Sequence, residues 1–174
     1  ILITGQSGCG KSTLLSSLAK SRHSLFNDGY GLVYKANSAV RVTSPFKIIN
    51  TFGLLKLKNP TLYNPQLLNN YNLKERPQKK YSNNGFNLGI IIFPQITREY
   101  KCRMFEISKR DAVKRLIAFS GASINNSDKA IKNRQINLLA DLAKQCRSYI
   151  FLSGREVVEN SSFQCYNFLK EHCS

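Results

Sequence analysis

Apolar and polar positions recur along this chain with two periods, and the change from one to the other marks out its elements. Ile1-Leu2-Ile3-Thr4 is a short apolar run that stops at Gly5, and after Lys11 the residues Leu14, Leu15, Leu18 and Ala19 recur at helical spacing. Strand, glycine loop and helix therefore follow in order, with the helix ending near Ser21-Arg22. Ser24-Leu25-Phe26 reads as a second short strand and Asn27-Asp28-Gly29 as its break. Gly31 to Ala36 and Val40 to Thr43 read as a hairpin that turns at Asn37-Ser38, and Pro45 ends that section. Phe46 to Leu57 suits a helix or a strand, and periodicity does not decide between them.

Asn59 to Asn87 differs in texture. It is rich in Asn, and Lys74, Arg76, Lys79 and Lys80 face a single acid, Glu75, so it reads as a basic insertion or loop. Leu88 to Phe93 is too apolar for an exposed edge and predicts a buried strand closed by Pro94, with Cys102 to Ile107 as a further strand. Ser108 and Asp111 form a capping box ahead of Val113, Leu116, Ile117 and Phe119. Ile131, Leu138, Leu142 and Cys146 mark one face of a longer helix. Tyr149 to Leu152 reads as a last strand, and Phe163, Tyr166 and Leu169 line a terminal helix.

Composition bounds this picture. With 174 residues and 42% hydrophobic content the chain is expected to be one domain with a core large enough to fold without staples. It begins with Ile, in a strand already in progress, so an upstream portion is expected. No apolar run approaches the ~20 residues that span a bilayer, and no signal peptide opens the chain, so a cytoplasmic location without a membrane span is expected. The five cysteines are scattered without a C-x-x-C pair, which supports neither a disulfide framework nor a zinc site. The 26 Lys+Arg against 10 Asp+Glu leave a formal charge of +16, which fits an anionic partner. The basic residues are dispersed, however, and Asn, Lys and Ile are abundant throughout, as an AT-rich genome would produce, so nucleic acid ranks behind nucleotide as a partner.

Candidate chemistry sits at the N-terminus. Gly5-Gln6-Ser7-Gly8-Cys9-Gly10-Lys11-Ser12 satisfies G-x-x-x-x-G-K-[ST] between a predicted strand and a predicted helix, the context that gives this Walker A pattern its meaning. Glycines let successive backbone N–H groups converge on phosphate oxygens, and the helix N-terminus adds about half a positive charge. Lys11 would reach the outer phosphates of ATP, the Ser12 hydroxyl would ligate Mg²⁺, and Thr13 adds a further hydroxyl. Gly5, Gln6, Ser7, Gly8, Cys9, Gly10, Lys11, Ser12 and Thr13 are thus the candidate nucleotide-binding residues. Phosphoryl transfer also needs a carboxylate at the acceptor. Asp28 is the only acid in the first 74 residues. A parallel strand at Ser24 to Phe26 would bring it to the edge of the sheet that holds the loop. Asp28 and Lys11 are therefore the candidate catalytic residues, and Ser12 and Asp28 the candidate Mg²⁺ ligands. The other acids, Asp111 among them, are expected away from that edge.

The phosphate loop together with Arg22-His23-Ser24-Leu25-Phe26-Asn27-Asp28-Gly29 resembles the catalytic domain of the HPr kinase/phosphorylase family and its HPr-kinase-like relatives, which follow the loop with a short helix and a strand ending in Asp-Asp. The order of later pieces agrees: a hairpin, a strand such as Ile90-Ile91-Ile92-Phe93-Pro94, Ile107 to Ala112 opening a helix, a further helix, the strand at Tyr149 to Leu152 and a closing helix. The resemblance implies a PEP carboxykinase-like α/β fold, a P-loop sheet with flanking helices like the HPr kinase C-terminal domain. It also implies that Asp28 acts as acid/base on a serine hydroxyl of a protein, peptide or small acceptor, with Mg-ATP as donor. Gly29 replaces the second Asp, Thr13 stands where the bifunctional enzymes carry Glu, and their C-terminal signature is not found, which points to a relative rather than the bifunctional enzyme.

Two other classes use part of the same wording. ABC-type ATPases share the loop, but their Leu-Ser-Gly-Gly-Gln signature is matched only weakly by Leu152-Ser153-Gly154-Arg155, and Ile90 to Phe93 ends in Pro94 rather than Asp-Glu. A non-catalytic nucleotide or nucleic-acid-binding module would draw on Lys74, Arg76, Lys79 and Lys80 with Tyr71 and Tyr81 on either side of them.

Overall fold

The computed structural model describes residues 1–19, 32–36, 39–43, 86–120, 128–159, 167–169 and 171. In chain order these form β1 (Leu2–Ile3), α1 (Lys11–Ala19), β2 (Leu32–Ala36), β3 (Ala39–Thr43), β4 (Phe86–Asn87) and β5 (Ile90–Ile96). They continue with β6 (Arg103–Glu106), α2 (Lys109–Phe119), α3 (Lys129–Gln145), β7 (Arg147–Ser153) and α4 (Glu156–Glu159). The expected strand Ser24 to Phe26, the break that holds Asp28, the segment Phe46 to Leu57 and most of Asn59 to Asn87 lie outside the described residues.

The main sheet runs in the order β1-β5-β7-β6, with β1, β5 and β7 parallel and β6 antiparallel to β7. Its inner strands β5 and β7 are buried on both faces, as a sheet covered on both sides requires, whereas the edge strand β6 is largely exposed. Leu2, Ile91, Phe93, Ile150 and Leu152 turn to one face and pack with Ala112 and Leu116 of α2 and Leu139, Leu142 and Ala143 of α3. Ile3, Ile90, Ile92, Met104 and Phe151 turn to the other and pack with Leu14 of α1, Val157 of α4 and Leu169. The alternation is the two-residue period of extended backbone, and each fully buried Ile or Phe contributes about 1.5–3 kcal/mol of transfer free energy. The chain is therefore an α/β fold built on a mixed sheet with flanking helices. No helix among the described residues is long and apolar enough to cross a membrane.

The hairpin forms as the sequence predicts, β2 and β3 pairing from Leu32↔Thr43 to Ala36↔Ala39. Phe86 and Asn87 were expected inside the insertion; they pair instead with Val42 and Arg41 as β4 and complete a small antiparallel sheet. The C-terminal end of α3 holds that sheet. Gln145 accepts a hydrogen bond from the Val40 N–H at 2.9 Å and donates to the carbonyls of Val40 at 3.0 Å and Leu88 at 3.1 Å.

Ser108 caps α2 as expected, its hydroxyl oxygen accepting from the Asp111 N–H at 3.1 Å and its hydroxyl donating to the Asp111 carboxylate at 2.7 Å. On α3 the buried positions are Leu139, Leu142 and Ala143, whereas Ile131 is 47% exposed, so the helix projects its first turn beyond the core that its later turns cover.

Pro94 does not close β5. The strand starts at Ile90 and continues through Pro94 to Ile96, with β7 registered beside it to the end. The Ile92 carbonyl accepts from the Thr4 N–H at 3.0 Å, so the peptide groups of Ile92 face β1. Alternation turns the Pro94 nitrogen to that same side, beyond the last residue of β1, where a strand owes no ladder bond. The ring is tolerated because the neighbouring strand has already ended in the glycine loop.

Candidate functional site

That loop lies at the C-terminal edge of the parallel strands, the position where open α/β sheets take their ligands. Its shape follows from its glycines. Gly8 and Gly10 have φ of +81° and +94°, left-handed conformations that side-chain-bearing residues rarely adopt. A Cβ on Gly5 would lie 2.7 Å from the Cys9 sulfur, so the chain can fold back on itself only over a bare α-carbon. The Cys9 N–H donates to the Gln6 carbonyl at 3.4 Å across the turn, and the Leu14 N–H donates to the Gly10 carbonyl at 2.9 Å as α1 begins. Leu14, fully buried between Ile92 and Phe151 in the core, fixes α1 and with it the loop's far end.

Lys11 closes the arrangement. Its ammonium donates to the carbonyls of Gly5 at 2.9 Å and Gln6 at 2.6 Å, and its third contact is the Cys9 sulfur at 3.8 Å. The cation thus lies at the start of the loop rather than extending into solvent. The Lys11 ammonium and the N-terminus of α1 both adjoin the loop, an arrangement of the kind that phosphate-binding sites use.

Gly5 to Gly10 form the loop, and Lys11, Ser12 and Thr13 stand in the first turn of α1. Asp28 lies outside the described residues, so its place beside the loop is not part of the observed geometry. Among the described residues no group of three or more His, Cys, Asp or Glu is arranged to hold a metal ion. The oxygen chemistry present nevertheless fits Mg²⁺, which is commonly held by one or two protein oxygens, water and the phosphates of its nucleotide rather than by an all-protein cage. Ser12 offers such an oxygen at the loop, and Ser7 and Thr13 carry further hydroxyls there.

Beside the loop opens a cleft of about 490 Å³. Gln6 and Cys9 form one wall, Phe93, Pro94 and Gln95 of β5 the floor, and Asp111, Lys114, Arg115, Ala118 and Phe119 of α2 the opposite wall. Asp111 was expected away from this edge; α2 packs across the end of β5 and carries it there. The signal that could have found this wall is the spacing of Asp111, Lys114 and Arg115, three charged residues on one helical face. In the sequence pattern Asp111 registers only as the partner of the Ser108 cap. Gly154, from the weak Leu-Ser-Gly match, has a packing role. A Cβ there would lie 2.3 Å from the Tyr100 carbonyl oxygen, where β7 ends against the 99–101 turn.

No protein-family model matches the chain, and no curated protein or solved structure matches it. The functional reading therefore rests on the loop, its lysine and the cleft.

The two buried cysteines of the described residues belong to the core. Burial pushes the Cys102 thiol up to about 11. Burial likewise raises Cys146. Cys9 is half-exposed in the loop.

Proposed function

We propose that this protein binds Mg-ATP in the Gly5–Thr13 loop and transfers the γ-phosphoryl group to a hydroxyl of a protein, peptide or small acceptor, as a P-loop kinase of the HPr-kinase-like type. The observation that carries the nucleotide part is the Lys11 ammonium bound to the Gly5 and Gln6 carbonyls across a loop with two left-handed glycines. Lys11 would hold the terminal phosphates by exchanging its weak thiol contact for a phosphate oxygen. Ser12, with Asp28 as the second ligand, would hold Mg²⁺, which screens the charge of the triphosphate when bound. The transfer part rests on Asp28 and on the order of elements: a hairpin, the strand Ile90–Ile96, a helix capped at Ser108, a second helix and the strand Arg147–Ser153 follow one another as in the HPr-kinase-like, PEP carboxykinase-like pattern. An Asp with an ordinary pKa near ~3.9 is ionised at neutral pH and can accept the acceptor's hydroxyl proton as the new O–P bond forms and the β–γ bridge bond breaks, releasing ADP.

The test pairs two variants. Lys11→Ala should abolish ATP binding measured by calorimetry. Asp28→Asn should retain ATP binding while losing transfer of labelled phosphate from ATP to a serine-peptide library and to water. Retained transfer in Asp28→Asn overturns the kinase assignment and leaves a nucleotide binder. Oligonucleotide binding that falls steeply with salt, together with no ATP binding, would favour a nucleic-acid module instead.

A further inference from the structure

The cleft beside the loop contains a cation whose charge nothing described balances. Asp111, the carboxylate of the cleft wall, is already engaged: the Ser108 hydroxyl donates to it at 2.7 Å and Lys114 lies 3.9 Å from it. Arg115 is half-buried one residue further on, and none of the ion pairs among the described residues includes it. Its guanidinium carbon stands 5.9 Å from the centroid of the Phe93 ring. Phe93 is nearly fully buried at 1% exposure, so the guanidinium lies against a fixed aromatic surface that restrains a long side chain. Phe93 also connects it to the loop. The next residue, Pro94, places its Cδ 3.9 Å from where a Gly5 Cβ would lie, and Gly5 is one of the two carbonyls that hold the Lys11 ammonium.

We propose that Arg115, flanked by Lys114, is an oxyanion-binding residue of this cleft, and that it receives an anionic group at the Lys11 end of the phosphate loop. The inference rests on the reading of that loop as a nucleotide site and deepens it. A planar guanidinium offers paired N–H donors that match two oxygens of a phosphate or a carboxylate, and a half-buried one with no carboxylate partner among the described residues has those donors to offer a ligand. Two sources share this chemistry: the terminal phosphate of ATP, or an acidic group on the acceptor that must approach that phosphate. The cleft's volume of about 490 Å³ exceeds one phosphate, and Ala118 and Phe119 of its α2 wall keep apolar surface exposed to the rest of an acceptor.

Calorimetry with ATP and ADP, and NMR titration of the ADP-saturated protein with acetyl-Glu-Ser-amide, would be run on wild type, Arg115→Gln, Arg115→Lys and Lys132→Gln. Lys132 is an exposed cation of α3 that does not line the cleft and controls for the general positive charge. If the terminal phosphate is the ligand, Arg115→Gln weakens ATP about ten- to hundredfold and leaves ADP unchanged, the loss of a charge-assisted hydrogen bond. If the acceptor supplies the anion, both nucleotides bind as in wild type and the dipeptide alone is weakened. In either case Arg115→Lys recovers part of the loss and Lys132→Gln has no effect. Nucleotide and dipeptide binding insensitive to Arg115→Gln, or equally sensitive to Lys132→Gln, overturns the subsite while leaving the loop reading intact. Failure of wild type to bind either nucleotide defeats the loop reading, and this inference with it. Matching thermal midpoints show that the variants fold.

Discussion

Among the described residues the two faces of the main sheet are built on different scales. One face buries Ile91, Phe93 and Ile150 under two helices and the small sheet, in a cluster that runs from Val40 to Cys146 and includes Leu116, Leu139 and Leu142. The opposite face, which carries the helix α1 after the glycine loop, buries six of the described residues: Leu14, Ile92, Cys102, Phe151, Val157 and Leu169. The difference teaches where stability and chemistry are separated. The thick face holds the strands in register whatever happens at the loop, and α2 reaches from it across the strand ends to form a wall of the cleft. On the thin face Leu14 is the fully buried residue among the described side chains of α1, and it anchors the helix that carries the loop's far end, so that small changes there act on binding before they act on folding.

Leu142 and Leu14 have the same side chain and are both fully buried, which makes them the sharpest pair with which to break the comparison. Leu142→Ala should cost about 2–5 kcal/mol in urea unfolding, toward the upper end because three layers meet there and cannot collapse into the gap. Leu14→Ala should fall toward the lower end of the same range, with a loss of ATP affinity that Leu142→Ala does not show at temperatures where both are folded. Equal effects of the two on nucleotide binding would mean that the loop is not held from the thin face. Gly10→Ala comes next. It forces a left-handed φ of +94° on a residue with a Cβ, an expected cost of about 1–3 kcal/mol, confined to the loop and read as lost ATP binding.

Thiol chemistry sharpens the contrast further. A Cys102 thiol pushed up to about 11 leaves only about one in a thousand ionised near pH 8, so iodoacetamide followed by peptide mapping should label Cys9 ahead of Cys102 and Cys146. Mg-ATP should slow labelling of Cys9 and leave the other two unchanged.

The smallest effect lies on the surface of the thick face and of the sheet edge. Lys35 donates to Asp141 at 2.9 Å and holds that carboxyl below its ordinary value of 3.8; Arg147 does the same for Glu106, whose ordinary value is 4.5. Both folded-state values are depressed, so the stability these pairs contribute is complete above the ordinary values and is lost as pH falls through the lower folded ones. Both carboxylates are exposed, and the contribution is correspondingly slight. Glu106→Gln and Asp141→Asn should flatten the acid side of a stability–pH curve measured by urea unfolding, with little change at neutral pH.

Much of this was legible before any coordinates. The loop was read from its glycines, the hairpin from alternation about Asn37-Ser38, and the cap from Ser108 and Asp111, because each depends on neighbours within a few residues. The course of β5 was not. A proline predicts a strand end by its missing N–H, and whether that donor is needed depends on where β1 stops. The role of Phe86 and Asn87 was hidden for the same reason, since their partners Val42 and Arg41 lie far back in the chain.

The sequence by itself determined the glycine loop, the β2–β3 hairpin and the Ser108 cap of α2, since dihedral preference, periodicity and capping act locally. Only the tertiary structure decided that β5 runs on past Pro94 beside that loop and that Asp111, Lys114 and Arg115 face it. Those positions follow from which strand lies beside β1 and from how α2 covers the ends of the sheet. Such pairings arise from the burial of apolar faces that are distant in sequence, and no local pattern encodes the partner.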